Sequence, residues 1–223
     1  MTSFLVALQL ADSALPVGRF AHSSGLESLV AAGPLEEEEL YELAESLIVS
    51  SVAPLDGVAV AHAHRAQEPT ALRELDRLVT ARKLAPAART ASTACGRRLA
   101  ALGLELTDAS PCSDFCASVR ASQTDGNFAV VEGALARALG VEIELAVLIE
   151  LRSAAAAFLS AAVRLDRLGA TRAQVLLQRL APTLESSALA ALALEPAEMH
   201  ATAPELELHA LAHERLERRM FMS

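Results

Sequence analysis

The chain has 223 residues, 52% hydrophobic and 21% charged, with a formal charge of −9; that size supports one substantial core, and that hydrophobic content excludes a disordered chain. The negative field repels phosphate backbones and anionic lipid, which argues against nucleic-acid and membrane-surface binding and for protein partners. Aromatic residues make up 3% and Trp is absent, so recurring Ala and Leu point to closely packed helices rather than a β-sandwich.

The apolar stretch Phe4 to Leu10 has no basic residue before it and meets Asp12, unlike a secretory signal. Export is not expected, and Cys95, Cys112 and Cys116 match no disulfide framework, which fits a reducing cytoplasm. The segment Leu8 to Glu27, LQLADSALPVGRFAHSSGLE, then sets Pro16, Gly18 and Gly25 among small polar residues. It reads as a constrained turn: Pro16 fixes its own φ, the glycines permit positive φ or close approach, and Ser23 or Ser24 is placed to cap a helix through Glu27. Turn chemistry by itself accounts for every residue in it.

Gly33-Pro34 breaks the chain before a helix over Leu35 to Ser50, with Glu36 to Glu39 in its first turn and Leu40, Leu43, Leu47 and Ile48 on one stripe. Pro54 and Asp56 are read as starting the next helix, Val58 to His64, and Glu68-Pro69-Thr70 as a break before Leu72, Leu75 and Leu78. An Ala-rich helix runs from Pro86 to about Leu102, Gly103 to Pro111 reads as a loop, and Asp125-Gly126-Asn127 as a turn. Val130 to Leu194 holds the longest helical patterns, interrupted at Gly140 and Gly169 and bent at Pro182. Its longest uncharged run, Ser153 to Val163, is about half of the ~20 residues a bilayer span requires. Pro196 to Pro204 is a break, and Leu206 to Arg219 a final charged helix with an apolar tail. The expected fold is therefore all-α: a single-domain bundle, residues 1–223, of roughly eight to ten helices.

The Leu-Pro-x-Gly turn at Leu15 to Gly18, followed by Phe20, Ser23-x-Gly25 and Leu26-Glu27, resembles the N-terminal signature of the UreF urease accessory proteins. The resemblance continues through Ala81-Arg82, Pro86 to Arg89, Ala91-Ser92 and Gly96, through Val130-Val131-Glu132-Gly133, and through Ala161 to Leu165 with Leu168-Gly169 and Gln174. At the far end, His213, Phe221 and Ser223 resemble the family's tail. The chain departs from the pattern at Arg19, where a small residue is usual, at Asn127, where His is common, and at Ala170 and Ala173, where Gln and Gly are usual.

The resemblance implies a non-enzymatic, cytoplasmic adaptor that dimerises and binds UreD, called UreH in some organisms. That pair would recruit the GTPase UreG and dock on apo-urease, so that GTP hydrolysis by the partner releases nickel toward the urease site. No cofactor is bound tightly; nickel is handled by the complex. The implied partner-binding ends are the N-terminal segment 1–27, with Leu15, Pro16, Gly18, Phe20, His22, Ser23, Gly25 and Glu27, and the tail 204–223, with His213 and Phe221. Arg89 and Arg164 are added as cations in apolar helical surroundings, which call for a carboxylate, a carbonyl or a subunit contact.

The alternative from the residues themselves is a stand-alone metal-binding protein or a metal-dependent hydrolase using its His pairs. His209 and His213, four apart on a predicted helix, are weak metal candidates because two imidazoles are an incomplete set. Cys112 and Cys116 have the same spacing and the same lack, and His62 and His64 point to different sides of a helix. Asp12, Ser13, His22 and Ser23 include triad residue types, but no Gly-x-Ser-x-Gly elbow occurs, and no phosphate-binding Gly-x-x-x-x-Gly-Lys loop. Nucleotide would have to be held by another protein.

Overall fold

The computed structural model describes residues 2–212 and 220–222, and every regular element among them is helical. Counting the unbroken stretch Glu37–Arg65 as one helix, the order is α1 Thr2–Leu10, α2 Leu26–Ala32, α3 Glu37–Arg65, α4 Pro69–Arg82, α5 Pro86–Leu106, α6 Cys112–Arg120, α7 Phe128–Ala138, α8 Ile143–Arg164, α9 Ala170–Arg179, α10 Ala181–Ala193 and α11 Pro204–Ala212. That makes eleven helices among the described residues rather than eight to ten. The surplus lies in short helices such as α6, whose nine residues carry too few apolar repeats to stand out in sequence.

Three expectations are corrected. Pro54 does not start a helix: it lies inside α3, in a π-helical segment Ile48–Gly57 that absorbs its ring and its missing N–H. Carbonyls of that segment accept from outside the helix, Pro54 from His200 N at 3.2 Å and Ser50 from Thr202 N at 2.7 Å. Gly103 is no loop residue, because α5 continues to Leu106 with Gly103 buried in it. Pro182 does not bend a helix; the chain breaks at Leu180 and Pro182 falls in the first turn of α10, where it is tolerated. The last helix begins at Pro204, and its predicted continuation over 213–219 lies outside the described residues.

Helix α8 is the central rod, packed against α1, α2, α3, α7, α9 and α10. Val147, Leu151, Ala155, Phe158, Leu159 and Ala162 form its buried face. The α3 and α8 helices are each long and apolar enough to span a membrane by length and composition, with more than half of each apolar window buried in the fold. Helix α7, buried from Phe128 to Ala136, crosses α3 so closely that Gly133 faces the Val60 carbonyl. Before it, the buried Asp76 carboxylate accepts from Thr124 Oγ1, Gly126 N, Asn127 N and Asn127 Nδ2, which fixes the predicted turn. The glutamate run is a solvated face, with Glu37 and Glu38 paired to Arg172 and Arg179 of α9.

Candidate functional site

The two segments expected to bind partners come together. In the N-terminal turn, Gly18 has φ 81°, Ser24 φ 53° and Gly25 φ 87°. The anticipated serine cap does not form: Ser24 is left-handed and Gly25 occupies the cap position of α2 without a side-chain bond. Glycine is required there for a second reason, since a Cβ on Gly25 would sit 2.5 Å from the Leu206 carbonyl oxygen and 3.0 Å from Ala210 N. Helix α11 thus lies backbone to backbone against the turn, and Leu206 is buried beneath it.

The final described residues return to the same place. The buried Glu27 carboxylate accepts from Met220 N at 2.5 Å and Phe221 N at 3.2 Å, and Met222 N donates to the Ala21 carbonyl at 2.8 Å. Residues 220 to 222 alternate: Phe221 points inward, while Met220 and Met222 are exposed. Phe221 stacks on Arg164 at the end of α8, with the guanidinium carbon 4.2 Å from the ring centroid. Phe20, Leu208 and Leu211 are also exposed. Leu15 is half-buried, Pro16 exposed, and Ser23 fully buried. For His22, burial and then the charges of Arg98 and Arg19 hold the imidazole below its ordinary pKa.

Under the turn lies a cluster of charge. Arg19 grips Glu150 of α8 through both terminal nitrogens, the Nη2–Oε1 bond being 3.0 Å, and stacks on Phe128 at 4.6 Å. Lys83 bridges both oxygens of Asp56 at 2.8 Å. These groups, with His22 and Cys95, line a cavity of about 210 Å³. Burial works against both charges of the Arg19 pair, but Arg19 outweighs it at Glu150, whose pKa is lowered, and Glu150 outweighs it at Arg19, whose pKa is raised. Glu132 of α7, 2% exposed, is pushed well above the carboxylate range by burial and then by Glu150. Both effects favour its protonated form, in which the carboxyl has a proton to offer Glu150.

The folded state therefore binds a proton at Glu132 that the unfolded chain releases above its ordinary carboxylate pKa. Stability contributed by this group is present below that pKa and is lost as pH rises toward the folded value. Glu132→Gln keeps a donor toward Glu150 and removes the titration. Its thermal midpoint should exceed that of the wild type at neutral pH, with a gap that widens from about pH 5 upward. An equal gap at every pH would contradict this protonation state.

Other candidates fall elsewhere. Arg89 is tied within the α4–α5 connection, its Nη1 donating to the carbonyls of Lys83 at 2.5 Å and Leu84 at 2.9 Å. His62 and His64 part company as expected, one bonded to the Leu194 carbonyl and the other to that of Val141. Cys112 and Cys116 are buried with Sγ atoms 3.9 Å apart. His209 is half-buried on α11, and His213 lies outside the described residues. Among the described residues no three His, Cys, Asp or Glu side chains are placed to hold a metal ion. A second groove of about 450 Å³ runs beside Leu15, Phe20, Arg152 and Gln174 and is lined by Leu10 at the end of α1, a helix that also exposes Phe4, Leu5 and Leu8.

Glu150, Asp56 and Lys83 were missed by sequence reasoning. A usable signal existed for Glu150 and for Glu132: each is a carboxylate within a helix that is otherwise apolar on its inward side, and such a charge needs a partner. Asp56 carried none, because its direction depends on the π-helical segment.

Residues 35–181 match the family model UreF. Over 223 residues the chain is 33% identical to the urease accessory protein UreF of Arthrobacter sp. strain FB24, covering 99% of this chain and 98% of that one. Identity is 31% over 229 residues with the Kocuria rhizophila protein of that name, covering 100% and 98%. It is 30% over 227 residues with that of Bacillus sp. strain TB-90, covering both chains completely.

Proposed function

This chain belongs to the UreF family of urease accessory proteins, and from that premise we propose that it is a cytoplasmic, non-catalytic adaptor for nickel insertion into urease. It works as a homodimer with UreD, also called UreH, and recruits UreG to apo-urease; the GTPase supplies the energy and this chain supplies recognition. Nickel passes through the assembly as cargo, and the chain holds no tight cofactor of its own.

The observation that carries this reading is the meeting of the two ends. Glu27 and Ala21 of the N-terminal turn hold residues 220–222, and Gly25 seats α11, so two segments about two hundred positions apart present one surface. Exposed Phe20, Leu208, Leu211, Met220 and Met222 give it the apolar, adaptable character of a protein-binding patch. The exposed Phe4, Leu5 and Leu8 of α1 suit the subunit contact.

Glu27→Gln should loosen this arrangement, because an amide offers one acceptor oxygen where the carboxylate offers two charge-assisted ones. Hydrogen exchange at the amides of Met220 and Phe221 should accelerate about tenfold, with core helices unchanged. Unchanged exchange there would remove Glu27 as the clasp.

The function itself is tested by expressing urease and its other accessory proteins with and without this chain. The reading expects urease with little nickel and little activity in its absence, both restored by the wild-type chain. Full nickel loading without it would overturn the reading.

A further inference from the structure

Arg164 is the one guanidinium in this protein whose environment is visibly incomplete among the described residues. Its Nε and Nη2 are both shielded from solvent and neither has a hydrogen-bond partner. Those two nitrogens are neighbours across the guanidinium carbon, so together they form one edge of the fork, the side-on edge that receives both oxygens of a carboxylate. The face of the same group is occupied, by the Phe221 ring at 4.2 Å. A cation–π contact satisfies the face and does nothing for the edge. Other half-buried cations have partners: Arg19 has Glu150, Lys83 has Asp56, and Arg89 donates through Nη1 to two carbonyls.

An empty, desolvated donor edge is costly to maintain, and burial lowers the Arg164 pKa with nothing to oppose it. The place where this happens is informative. Arg164 lies under the tail, at the border of the apolar surface made by the two ends. Asp166, two residues on, is exposed and is not bonded to it.

We propose that Arg164 is a receptor for one Asp or Glu side chain of a partner protein, taken bidentately at its Nε–Nη2 edge, with the Phe221 ring as the platform under the guanidinium. The partner segment that fits is a carboxylate set among apolar residues, matching the cation and the exposed Met220 and Met222 on either side of Phe221. This rests on the adaptor reading and adds to it the chemistry of the contact.

The test is titration calorimetry of the full-length chain with purified UreD and, separately, UreG, comparing wild type, Arg164→Met and Arg164→Lys, with thermal midpoints recorded for all three. The proposal expects binding of at least one protein by the wild type, weakened about tenfold or more in Arg164→Met. Lysine should restore little, since an ammonium cannot present the fork. The thermal midpoint of Arg164→Met should equal or exceed that of the wild type, because two shielded and unpaired N–H groups have been removed; a residue important only for folding would show the reverse. Wild-type-like binding by Arg164→Met would overturn the proposal and leave the adaptor reading standing. Absence of binding by the wild type would overturn both.

Discussion

Arg19→Met should destabilise this protein by about 3–5 kcal/mol, the cost of stranding a buried charge when its partner is deleted. The stranded group is Glu150, whose side chain is 4% exposed and which already faces Glu132. Without Arg19, burial at Glu150 loses its main opponent, and Glu150 must take up a proton or draw water into the cavity. The wild-type contribution follows a definite sign: the folded pKa of Glu150 is depressed, so its stability is present above the unfolded carboxylate pKa and is lost as pH falls through the folded value. Arg19→Met should therefore lose most at neutral pH and less near pH 4. Glu150→Met in the same chain should return much of the loss, because an apolar pair replaces an ionic one at comparable volume. Denaturant unfolding of the two single variants and the double measures this directly. A double variant as unstable as Arg19→Met would mean that the destabilisation comes from lost packing on Phe128.

Gly133→Ala is expected to cost about 2 kcal/mol, although alanine is the better helix former by about 1 kcal/mol. The sign is decided by what the new methyl meets. Its carbon would stand 2.3 Å from the Val60 carbonyl oxygen and 2.9 Å from Ala63 Cβ, and both belong to the α3 rod, so relief requires two core helices to separate. Overpacking of that kind costs about 1–3 kcal/mol beyond the propensity gain. Gly103→Ala is the control: its Cβ would meet Cys116 Sγ at 3.3 Å and Leu135 Cδ1 at 3.6 Å, side-chain atoms able to yield. The two effects should then nearly cancel. Thermal midpoints of the pair check it, and equal shifts for both would mean that α3 and α7 are not in close backbone contact.

Much of this was legible in the sequence. The Leu40, Leu43 and Leu47 stripe, the breaks at Gly33-Pro34 and Glu68-Pro69, and the Ala-rich α5 follow from local periodicity and breakers, which act over a few residues. The Leu-Pro-x-Gly turn was recognisable for the same reason, and so was the importance of Gly25. Its partner was not: the α11 backbone that demands glycine there comes from the other end of the chain. The Pro54 error has a similar origin, because the carbonyls freed by the π-helical segment are satisfied by His200 and Thr202, well outside any local window. Arg19 was visible as a departure from the family pattern, yet its meaning required Glu150, 131 positions away. Side chains that complete one another across the fold leave only half of their signal at each position.

The most direct test of the adaptor reading is size-exclusion chromatography with light scattering on the chain co-expressed with the UreD and UreG of its own organism. Refractive index is the detector of choice, since Trp is absent and Tyr41 is the only tyrosine. A stable complex is expected, abolished when Leu206 to Ser223 is deleted. Separate elution of the intact chain, or a complex indifferent to that deletion, would contradict the claim that the joined ends form the partner surface.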